Sequence, residues 1–407
     1  MKKRILIFSL AYYPEIGGAE IALQEITNRI SSSDIAFDII TLRFDRKHSR
    51  LEKVGNVLVH RVGWGNYFGK ILFPPLAAWY ARGLNRQKHF DGAWAMMTYM
   101  VLPIVFARFF GVRLPYLITL QDGDLPEHVF GRLRILPFLP LIRFGFRHAK
   151  AVQTISVYLR DWAKEAGFSG AVLVIPNGVD ITRFTPAPVK VLGFTKVAST
   201  NMVTKKALET LLITTSRLVH KNAVDDIIRA LALLPREVRL LVVGDGPLKK
   251  DLEHLARILK VEERVHFVGG VPNKKIPEYL HAADIFVRPS RSEGMGISFI
   301  EAMAAGIPVI AAPVGGIVDF LRDEETGILC RVDDPKSIAD AVNRLLENEE
   351  LRARIVKNAR RLVMENYSWD LIARDMSEKV FKPMFQERVP LEAADALKYS
   401  KYGKQIY

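Results

Sequence analysis

The sequence has 407 residues with 49% hydrophobic and 25% charged side chains, the composition of an ordinary globular protein. At about 100 to 200 residues per domain, this length predicts two or three domains. The single cysteine, Cys330, excludes an internal disulfide and a cysteine-rich zinc site and fits a reducing, cytoplasmic location. Because the longest uncharged apolar runs fall short of the ~18 residues of a spanning helix, a transmembrane segment is not expected.

The net charge of +14 is concentrated in the first half of the chain. Residues 1–185 hold 24 basic and 14 acidic side chains, which predicts a surface that meets phosphates, anionic lipid headgroups or nucleic acid. The segment from Lys2 to Tyr13 superficially resembles a signal peptide. It continues into Pro14 without a small-residue cleavage site, so we interpret it as a first buried strand.

Short apolar runs rich in β-forming residues recur along the chain, separated by helical spacing or by glycine and proline turns. They lie at 4–10, 37–42, 57–62, 92–97, 116–120, 151–155 and 172–175 in the first half, and at 211–215, 238–243, 265–268, 285–287 and 309–312 in the second. Continuous apolar strands that alternate with helices predict parallel sheets covered on both faces. The predicted fold class is therefore α/β, with two doubly wound, Rossmann-like domains in tandem.

The first domain is predicted over 1–185 and the second over 186–364. Residues 186–206 contain two prolines and follow neither the helix nor the strand period, so they are predicted to be a linker. Helical spacing continues through 365–385, and 386–407 form a basic polar tail.

A pair of glycines, Gly17 and Gly18, follows the first predicted strand and precedes a helical pattern. Backbone N–H groups at such a turn lie at the positive end of a helix dipole, where a phosphate can approach closely. The alternative is a tight turn that requires positive φ at glycine. A second pair, Gly244 and Gly246, has Lys249 where the dinucleotide fingerprint requires a third glycine, so we interpret it as a turn.

Two acids eight residues apart, Glu293 and Glu301, flank a glycine-containing loop and an apolar helix predicted to begin near Gly296. This start places Glu301 in the second helical turn, on the inner face. A carboxylate there is costly unless it accepts hydrogen bonds from a bound partner such as a hydroxyl pair. The spacing therefore favours recognition of a polyol. The alternative is a solvated helix start with an incidental glutamate.

Two basic residues, Arg217 and Lys221, follow the strand predicted at 211–215. Open α/β sheets bind ligands at the carboxyl ends of their strands. Arginine offers a planar fork for a pyrophosphate, and lysine adds a point charge. Taken alone, either residue would be interpreted as a surface charge.

An acid pair, Asp122 and Asp124, ends the strand predicted at 116–120 and resembles a metal-binding pair. No histidines or further acids cluster near it in the sequence, so we favour a metal-free role for this loop. The scattered histidines are interpreted as surface or core residues; they are His128, His148, His220 and His281.

Taken together, these segments resemble the retaining family 4 glycosyltransferases, which have the GT-B fold of two Rossmann-like domains facing across a cleft. The segments that carry the resemblance are 14–20, 175–180, 216–222, 244–247, 293–301, 306–309 and 315–316. They cover nearly the whole chain, and the Glu-x7-Glu spacing of Glu293 and Glu301 is the specific part. In this family the C-terminal helices cross back onto the first domain, which assigns that role to 365–385.

The resemblance implies that the second domain binds a nucleoside-diphosphate sugar. Arg217 and Lys221 would hold the diphosphate, Glu301 the ribose hydroxyls, and Glu293 with neighbouring backbone amides the transferred sugar. The implied donor-binding residues are Gly17, Gly18, Arg217, Lys221, Asn222, Gly294, Met295, Gly296, Ile297 and Glu301. The implied catalytic residues are Glu293, Arg217, Lys221, Gln121 and Asp122. No metal ion or other cofactor is expected.

The sequence departs from the family pattern at three positions. The family lysine usually lies five residues after the arginine; here Asn222 has that position and Lys221 precedes it. Met295 stands where phenylalanine is usual, a change that backbone contacts should survive. Gln121 replaces a histidine near the acceptor, and glutamine can hydrogen-bond a hydroxyl but cannot take a proton at neutral pH.

The basic charge of the first domain suggests an acceptor at a membrane. Four arginines lie among apolar residues that Pro137 and Pro140 interrupt; they are Arg132, Arg134, Arg143 and Arg147. We expect peripheral contact with anionic membrane, at the inner face of the plasma membrane, and a glycan or lipid-linked acceptor. The alternative is an ordinary basic surface.

The expected activity is transfer of a hexose-type sugar with retention of configuration. A GT-B epimerase or phosphorylase would share the architecture and stays an alternative. A nucleic-acid-binding protein would explain the charge but leaves Glu293 and Glu301 unexplained and lacks basic residues interleaved with stacking aromatics. Nucleic acid is therefore not an expected partner.

Overall fold

The computed structural model describes residues 2–66, 69–123, 135–185 and 209–386. These residues divide into two compact units. The first unit runs to Gly178 and resumes at Trp369, and the second unit is Val179–Ser368. The predicted linker 186–206, together with the predicted tail apart from Gln386, lies outside the described residues.

The first unit is built on strands that alternate with helices. In chain order its elements are β1 (Lys3–Phe8), α1 (Gly18–Arg29), β2 (Ile35–Leu42), β3 (Leu51–Val54), β4 (Val57–Val62), α2 (Gly69–Lys88), β5 (Gly92–Met96), α3 (Val101–Phe109), β6 (Tyr116–Leu120), α4 (Leu139–Arg147), β7 (Ala151–Thr154), α5 (Val157–Glu165) and β8 (Val172–Val174). Its described strands form one sheet in the order β3-β4-β2-β1-β5-β6-β7-β8. All neighbours pair in parallel except β3, which is antiparallel to β4.

The second unit repeats the alternation. Its elements are α6 (Ile181–Phe184), β9 (Thr210–Thr215), α7 (Val224–Leu231), β10 (Val238–Val243), α8 (Lys249–Ile258), β11 (Val265–Gly269), α9 (Ile276–His281), β12 (Ile285–Arg288), α10 (Ile297–Ala305), β13 (Val309–Ala311), β14 (Ile328–Leu329), α11 (Pro335–Glu347) and α12 (Glu349–Asn366). Its described strands form a fully parallel sheet in the order β11-β10-β9-β12-β13-β14.

After the second unit the chain returns to the first. The returning segment comprises α13 (Trp369–Asp375), a π-helical stretch (Met376–Phe381) and α14 (Lys382–Met384). The Phe381 ring packs 5.1 Å from the Trp94 ring of β5 and 5.9 Å from the Phe37 ring of β2, centroid to centroid. The C-terminal helices therefore complete the core of the first unit, as predicted.

The predicted α/β class with two doubly wound units is confirmed. The boundaries differ by a few residues from those expected, 185 and 364. Residues 179–185 belong to the second unit because Phe184 is buried there and its carbonyl accepts a hydrogen bond from His281 Nε2 at 3.0 Å. β3 was not predicted: its sequence Leu-Glu-Lys-Val is exposed and half charged, so it has no apolar run.

Candidate functional site

The second unit has a topological switch point between β9 and β12. The chain adds strands to one side of β9 (β10, β11) and then to the other (β12, β13, β14). At such a point the connections on the two sides diverge, and the carboxyl ends of the strands leave a crevice for a ligand. The loop after β9, residues 216–222, is called the basic loop. The loop after β12, residues 289–296, is called the acidic loop.

Arg291 joins these two loops. Its N–H donates to the Lys221 carbonyl at 2.7 Å, and its guanidinium donates to the His220 carbonyl at 2.7 Å. The same guanidinium binds Asp225 at 2.9 and 3.1 Å and Asp226 at 2.6 Å, at the start of α7. The predicted phosphate ligands and the predicted sugar ligand are therefore carried by two loops that are fixed to each other.

The pKa values of the two acids that bind Arg291 are shifted in opposite directions. Burial alone would raise the pKa of Asp225, but hydrogen bonds from Arg291 and Arg229 outweigh it and lower that pKa. Burial and the neighbouring charge of Asp225 raise the pKa of Asp226. The sequence does not predict this network, because Arg291 lies 66 residues from Asp225 and 65 residues from Asp226.

The basic loop is closed by its own asparagine. Asn222 is buried, and its Nδ2 donates to the Arg217 carbonyl at 2.7 Å, while the Arg217 side chain is exposed. Asn222 thus shapes the loop, and Lys221 is half-buried beside it. The hydroxyls of Thr215 and Ser216, also at the carboxyl end of β9, are buried without a hydrogen-bond partner among the described residues.

The turn at 244–247 packs against the basic loop. Leu218 N–H donates to the Asp245 carbonyl at 3.0 Å. A Cβ at Gly244 would lie 1.9 Å from the Ser216 carbonyl oxygen, and one at Gly246 would lie 2.4 Å from the Leu218 carbonyl oxygen. Both glycines therefore allow two backbones to approach closely, which agrees with the interpretation of this segment as a turn.

Glu293 is held on several sides in the acidic loop. One carboxylate oxygen pairs with Arg288, and the other accepts the Gly294 N–H at 3.1 Å. The Glu293 carbonyl accepts the Gly316 N–H at 3.1 Å. A Cβ at Gly315 would lie 1.8 Å from that carbonyl oxygen, so only glycine fits there. Arg288, the last residue of β12, was not singled out in the sequence.

The helix after the acidic loop begins where the sequence predicts. Gly296 adopts φ +86°, and α10 starts at Ile297. A Cβ at Gly296 would lie 2.4 Å from the Phe299 ring, which explains the glycine sterically. The Met295 side chain is buried in the core.

Glu301 lies in the second turn of α10 and is 8% exposed, as the predicted helix start requires. The Asn273 Nδ2 approaches its Oε1 at 3.5 Å, and Arg183 donates to Asn273 Oδ1 at 2.6 Å. Burial raises the pKa of the Glu301 carboxyl, although the charges of Arg183 and Arg288 oppose the shift. A buried carboxylate with such weak hydrogen bonding is suited to accept hydroxyl donors from a ligand.

The other predicted residues lie in the first unit. Gly17 caps α1 with φ −135°, and its N–H donates to Glu20 Oε2 at 2.8 Å. The alternative of a tight turn with positive φ does not describe Gly17, whose N–H is engaged by Glu20. Anion-binding donors at this helix start would come from Gly18 and the residues that follow it.

Gln121 and Asp122 follow β6 directly, and both are hydrogen-bonded. The Gln121 and Asn177 amides exchange two hydrogen bonds, of 3.1 and 3.0 Å. Asp122 is buried, and its Oδ2 accepts from the Thr98 hydroxyl at 2.8 Å and the Thr98 N–H at 3.3 Å. These hydrogen bonds from Thr98 to Asp122 join the segments that follow β5 and β6.

No three His, Cys, Asp or Glu side chains converge on a common point within the described ranges. Asp124, His128, Arg132 and Arg134 lie outside those ranges. Arg143 and Arg147 are exposed on α4, and Pro140 falls in its first turn, where proline is tolerated. No described helix is long and apolar enough to cross a bilayer.

Two family models match the chain. Residues 16–183 match the model "Glycosyltransferase Family 4", and residues 201–362 match "Glycosyl transferases group 1". The chain is 29% identical to N-acetyl-alpha-D-glucosaminyl L-malate synthase of Bacillus anthracis over 89% of this chain and 93% of that protein. It is 33% identical to a GDP-mannose-dependent alpha-(1-6)-phosphatidylinositol monomannoside mannosyltransferase of Mycolicibacterium smegmatis, over 57% of this chain and 63% of that protein.

Solved structures share the fold at low identity. Sucrose-phosphate synthase from Thermosynechococcus elongatus superposes with a TM-score of 0.78 at 21% identity, covering 94% of this chain and 99% of that one. HepE of Anabaena, solved in complex with UDP and glucose, superposes with a TM-score of 0.75 at 22% identity, covering 93% and 100%. The chain therefore belongs to the family 4 glycosyltransferases, enzymes of the GT-B fold.

Proposed function

We propose that this glycosyltransferase moves a hexose-type sugar from a nucleoside diphosphate to a glycan or lipid-linked acceptor, with retention and without a divalent metal. The observation that carries the proposal is the junction of the basic and acidic loops at the β9/β12 switch point, where Arg291 joins them. Cations and a carboxylate at this junction match a ligand that is anionic at one end and hydroxylated at the other.

The diphosphate is assigned to the basic loop. The Arg217 side chain is exposed there. The Asn222 side-chain amide already donates to the Arg217 carbonyl, so we assign Lys221, and not Asn222, as the second diphosphate ligand. The hydroxyls of Thr215 and Ser216, which have no hydrogen-bond partner in the part of the chain that the structure describes, would donate to phosphate oxygens. When the bond between the sugar and the diphosphate breaks, negative charge develops on the leaving phosphate, and these groups stabilise it.

The hydroxylated parts of the donor are assigned to the two glutamates. Glu301 would accept hydrogen bonds from the ribose hydroxyls. Glu293 would accept hydrogen bonds from the hydroxyls of the transferred sugar, and the backbone amides of residues 295–297 would donate to it. Gln121 cannot serve as a base, so the departing phosphate takes the acceptor's proton, as the family resemblance implies. Asp122 is assigned a positioning role beside the acceptor, because its Oδ2 accepts from the Thr98 hydroxyl and from the Thr98 N–H.

The relatives support a nucleotide-sugar donor. The name of the mycobacterial relative specifies GDP-mannose and a phosphatidylinositol-based acceptor, and HepE was also solved with UDP-glucose. These properties belong to those proteins, and they make UDP-sugars and GDP-mannose the donors to test first.

Product analysis tests the proposal. Purified enzyme is incubated with radiolabelled UDP-glucose, UDP-N-acetylglucosamine or GDP-mannose and with membrane extracts as the acceptor source, with and without EDTA. We expect a labelled adduct whose yield EDTA does not reduce. An isomerised nucleotide sugar would indicate an epimerase, and a sugar phosphate formed only with added phosphate would indicate a phosphorylase. Abolition by EDTA would contradict the metal-free mechanism.

We further propose that the first unit contacts anionic membrane through an apolar-basic face formed by α2, α3 and α4. This face is defined by Leu72, Trp79, Arg82, Phe109, Arg108 and Phe144. Trp79 is 61% exposed and Phe109 74% exposed. The Arg82 guanidinium lies 5.7 Å from the Trp79 ring centroid, and that of Arg108 lies 5.8 Å from the Phe144 ring. Exposed aromatics beside cations suit an anionic lipid surface.

Vesicle co-sedimentation tests this face. Binding to phosphatidylglycerol vesicles at low salt should exceed binding to phosphatidylcholine vesicles, and the substitutions Trp79→Ser with Phe109→Ser should reduce it. Ile258→Ser is the matched control, because Ile258 is equally exposed at 61% but lies on α8 of the second unit. Equal sedimentation with both lipids, or equal loss in the control, would contradict the assignment.

A further inference from the structure

Arg288 is a buried cation that ends β12. Its side chain is 8% exposed, and nearly every donor has a partner. Nε donates to the Ser290 hydroxyl at 3.1 Å, and Nη1 donates to the Ser298 hydroxyl at 2.5 Å and approaches the Thr215 carbonyl at 3.5 Å. Nη2 pairs with Glu293. One guanidinium thus connects the end of β9, the acidic loop and the first turn of α10.

The surroundings of Arg288 make the pair with Glu293 costly to break. The guanidinium stacks 4.5 Å from the Phe299 ring centroid, and burial lowers the pKa of Arg288 to about 10. The other charge that acts on it is Glu301 on α10, which opposes this shift. Glu293 is 12% exposed, so removal of either partner would leave a buried, uncompensated charge.

The contacts of Glu293 also leave it room to bind a ligand. One oxygen is paired with Arg288 and the other accepts one N–H, from Gly294. An ionised carboxylate has about four acceptor sites, so two are left unused by the described residues and can accept from hydroxyl donors. The planar guanidinium fixes the plane of this carboxylate, and therefore the directions in which those two sites point.

We propose that Arg288 is a positioning residue that acts through Glu293: it orients the carboxylate so that its free acceptor sites meet the hydroxyls of the transferred sugar. This inference rests on the proposed function, since it assigns the transferred sugar to Glu293. Arg288 itself touches no substrate. A purely structural role for the buried cation is the alternative that the experiment must separate.

The test compares Arg288→Met, Arg288→Lys, Glu293→Gln and the Arg288→Met/Glu293→Gln double variant. The substrate is whichever of UDP-glucose, UDP-N-acetylglucosamine and GDP-mannose the wild-type enzyme uses best, and the readouts are kcat and KM across pH 5 to 9. If wild-type enzyme uses none of them, the proposed function fails, independently of Arg288.

For Arg288→Met we expect kcat to fall about a hundredfold, the typical loss for one preorganised polar contact. Without the cation, a buried carboxylate is harder to ionise, so the acidic limb of the pH profile should move to higher pH. The double variant should be no slower than Glu293→Gln alone. An unchanged pH profile together with additive losses would overturn the inference.

Arg288→Lys keeps the positive charge but loses the planar guanidinium. This variant tests the proposal if Arg288→Met does not fold. We expect an unshifted pH profile with kcat lowered at least about tenfold, because one ammonium cannot fix the carboxylate plane. A wild-type kcat in Arg288→Lys would show that the orientation of the fork is not needed, and would overturn the proposal.

Discussion

Replacing Gly315 with alanine tests whether the position of Glu293 sets the catalytic rate. Gly315 adopts φ +55°, and a Cβ there would lie 1.8 Å from the Glu293 carbonyl oxygen, whereas real Cβ contacts are essentially never closer than 3.0 Å. The Gly315 segment and the acidic loop must therefore separate by more than 1 Å, which displaces Glu293 relative to the rest of the site. A displacement of about 1 Å near the reacting groups can cost roughly a hundredfold in rate, and we expect kcat/KM to fall by that factor.

Gly306→Ala is the matched control for this prediction. Gly306 ends α10 with φ +78°, and a Cβ at this position would meet no heavy atom within 4 Å. Both substitutions place alanine in the left-handed region, at a cost of about 1 to 2 kcal/mol in the free energy of unfolding. Urea unfolding measures that shared cost, and steady-state kinetics measures the activity. If both variants lose activity equally, the displacement of Glu293 does not explain the loss.

Three further predictions concern single side chains. Arg217→Ala should lower kcat about a hundredfold or more, measured by donor turnover, and near-normal turnover would remove Arg217 from the diphosphate site. Arg291→Ala leaves Asp226 buried without its main cation and should lower the free energy of unfolding by about 3 to 5 kcal/mol, against about 1 kcal/mol or less for the exposed pair broken in Arg322→Ala. Burial raises the pKa of Glu301 above its ordinary 4.5, so its stabilising contribution is complete below pH 4.5 and is lost as pH rises through the raised value. Glu301→Gln should therefore be more stable than wild type at neutral pH, with the difference vanishing in acid, and should bind nucleotide more weakly; equal pH dependence of unfolding in both proteins would contradict this.

Most strands of both sheets were predictable because they are continuous apolar runs, and those at the centre of each sheet are buried on both faces. The strands β4, β6 and β10 have the predicted bounds, whereas β14 has two residues and no detectable pattern. The position of Glu301 followed from local spacing, since Gly296 sets the start of α10. The sequence therefore predicted features that depend on contacts within a single helix or strand.

What the sequence did not predict are contacts between distant segments. Arg291 is indistinguishable from an ordinary surface charge until the fold brings it to the start of α7, 65 residues away. The pairing of Gln121 with Asn177 spans 56 residues, and the engagement of Gly17 by Glu20 depends on the conformation of the turn. Spacing identified which residue types could bind a donor, but only tertiary geometry separates ligand-facing groups from those occupied within the protein.

Calorimetric titration with nucleoside diphosphates tests the central claim most directly. Wild-type protein should bind at least one of UDP and GDP without added metal, and Arg217→Ala with Lys221→Ala should abolish that binding while urea unfolding stays at the wild-type value. Absence of binding to either nucleotide, or unchanged affinity in the double variant, would contradict a diphosphate site on the basic loop.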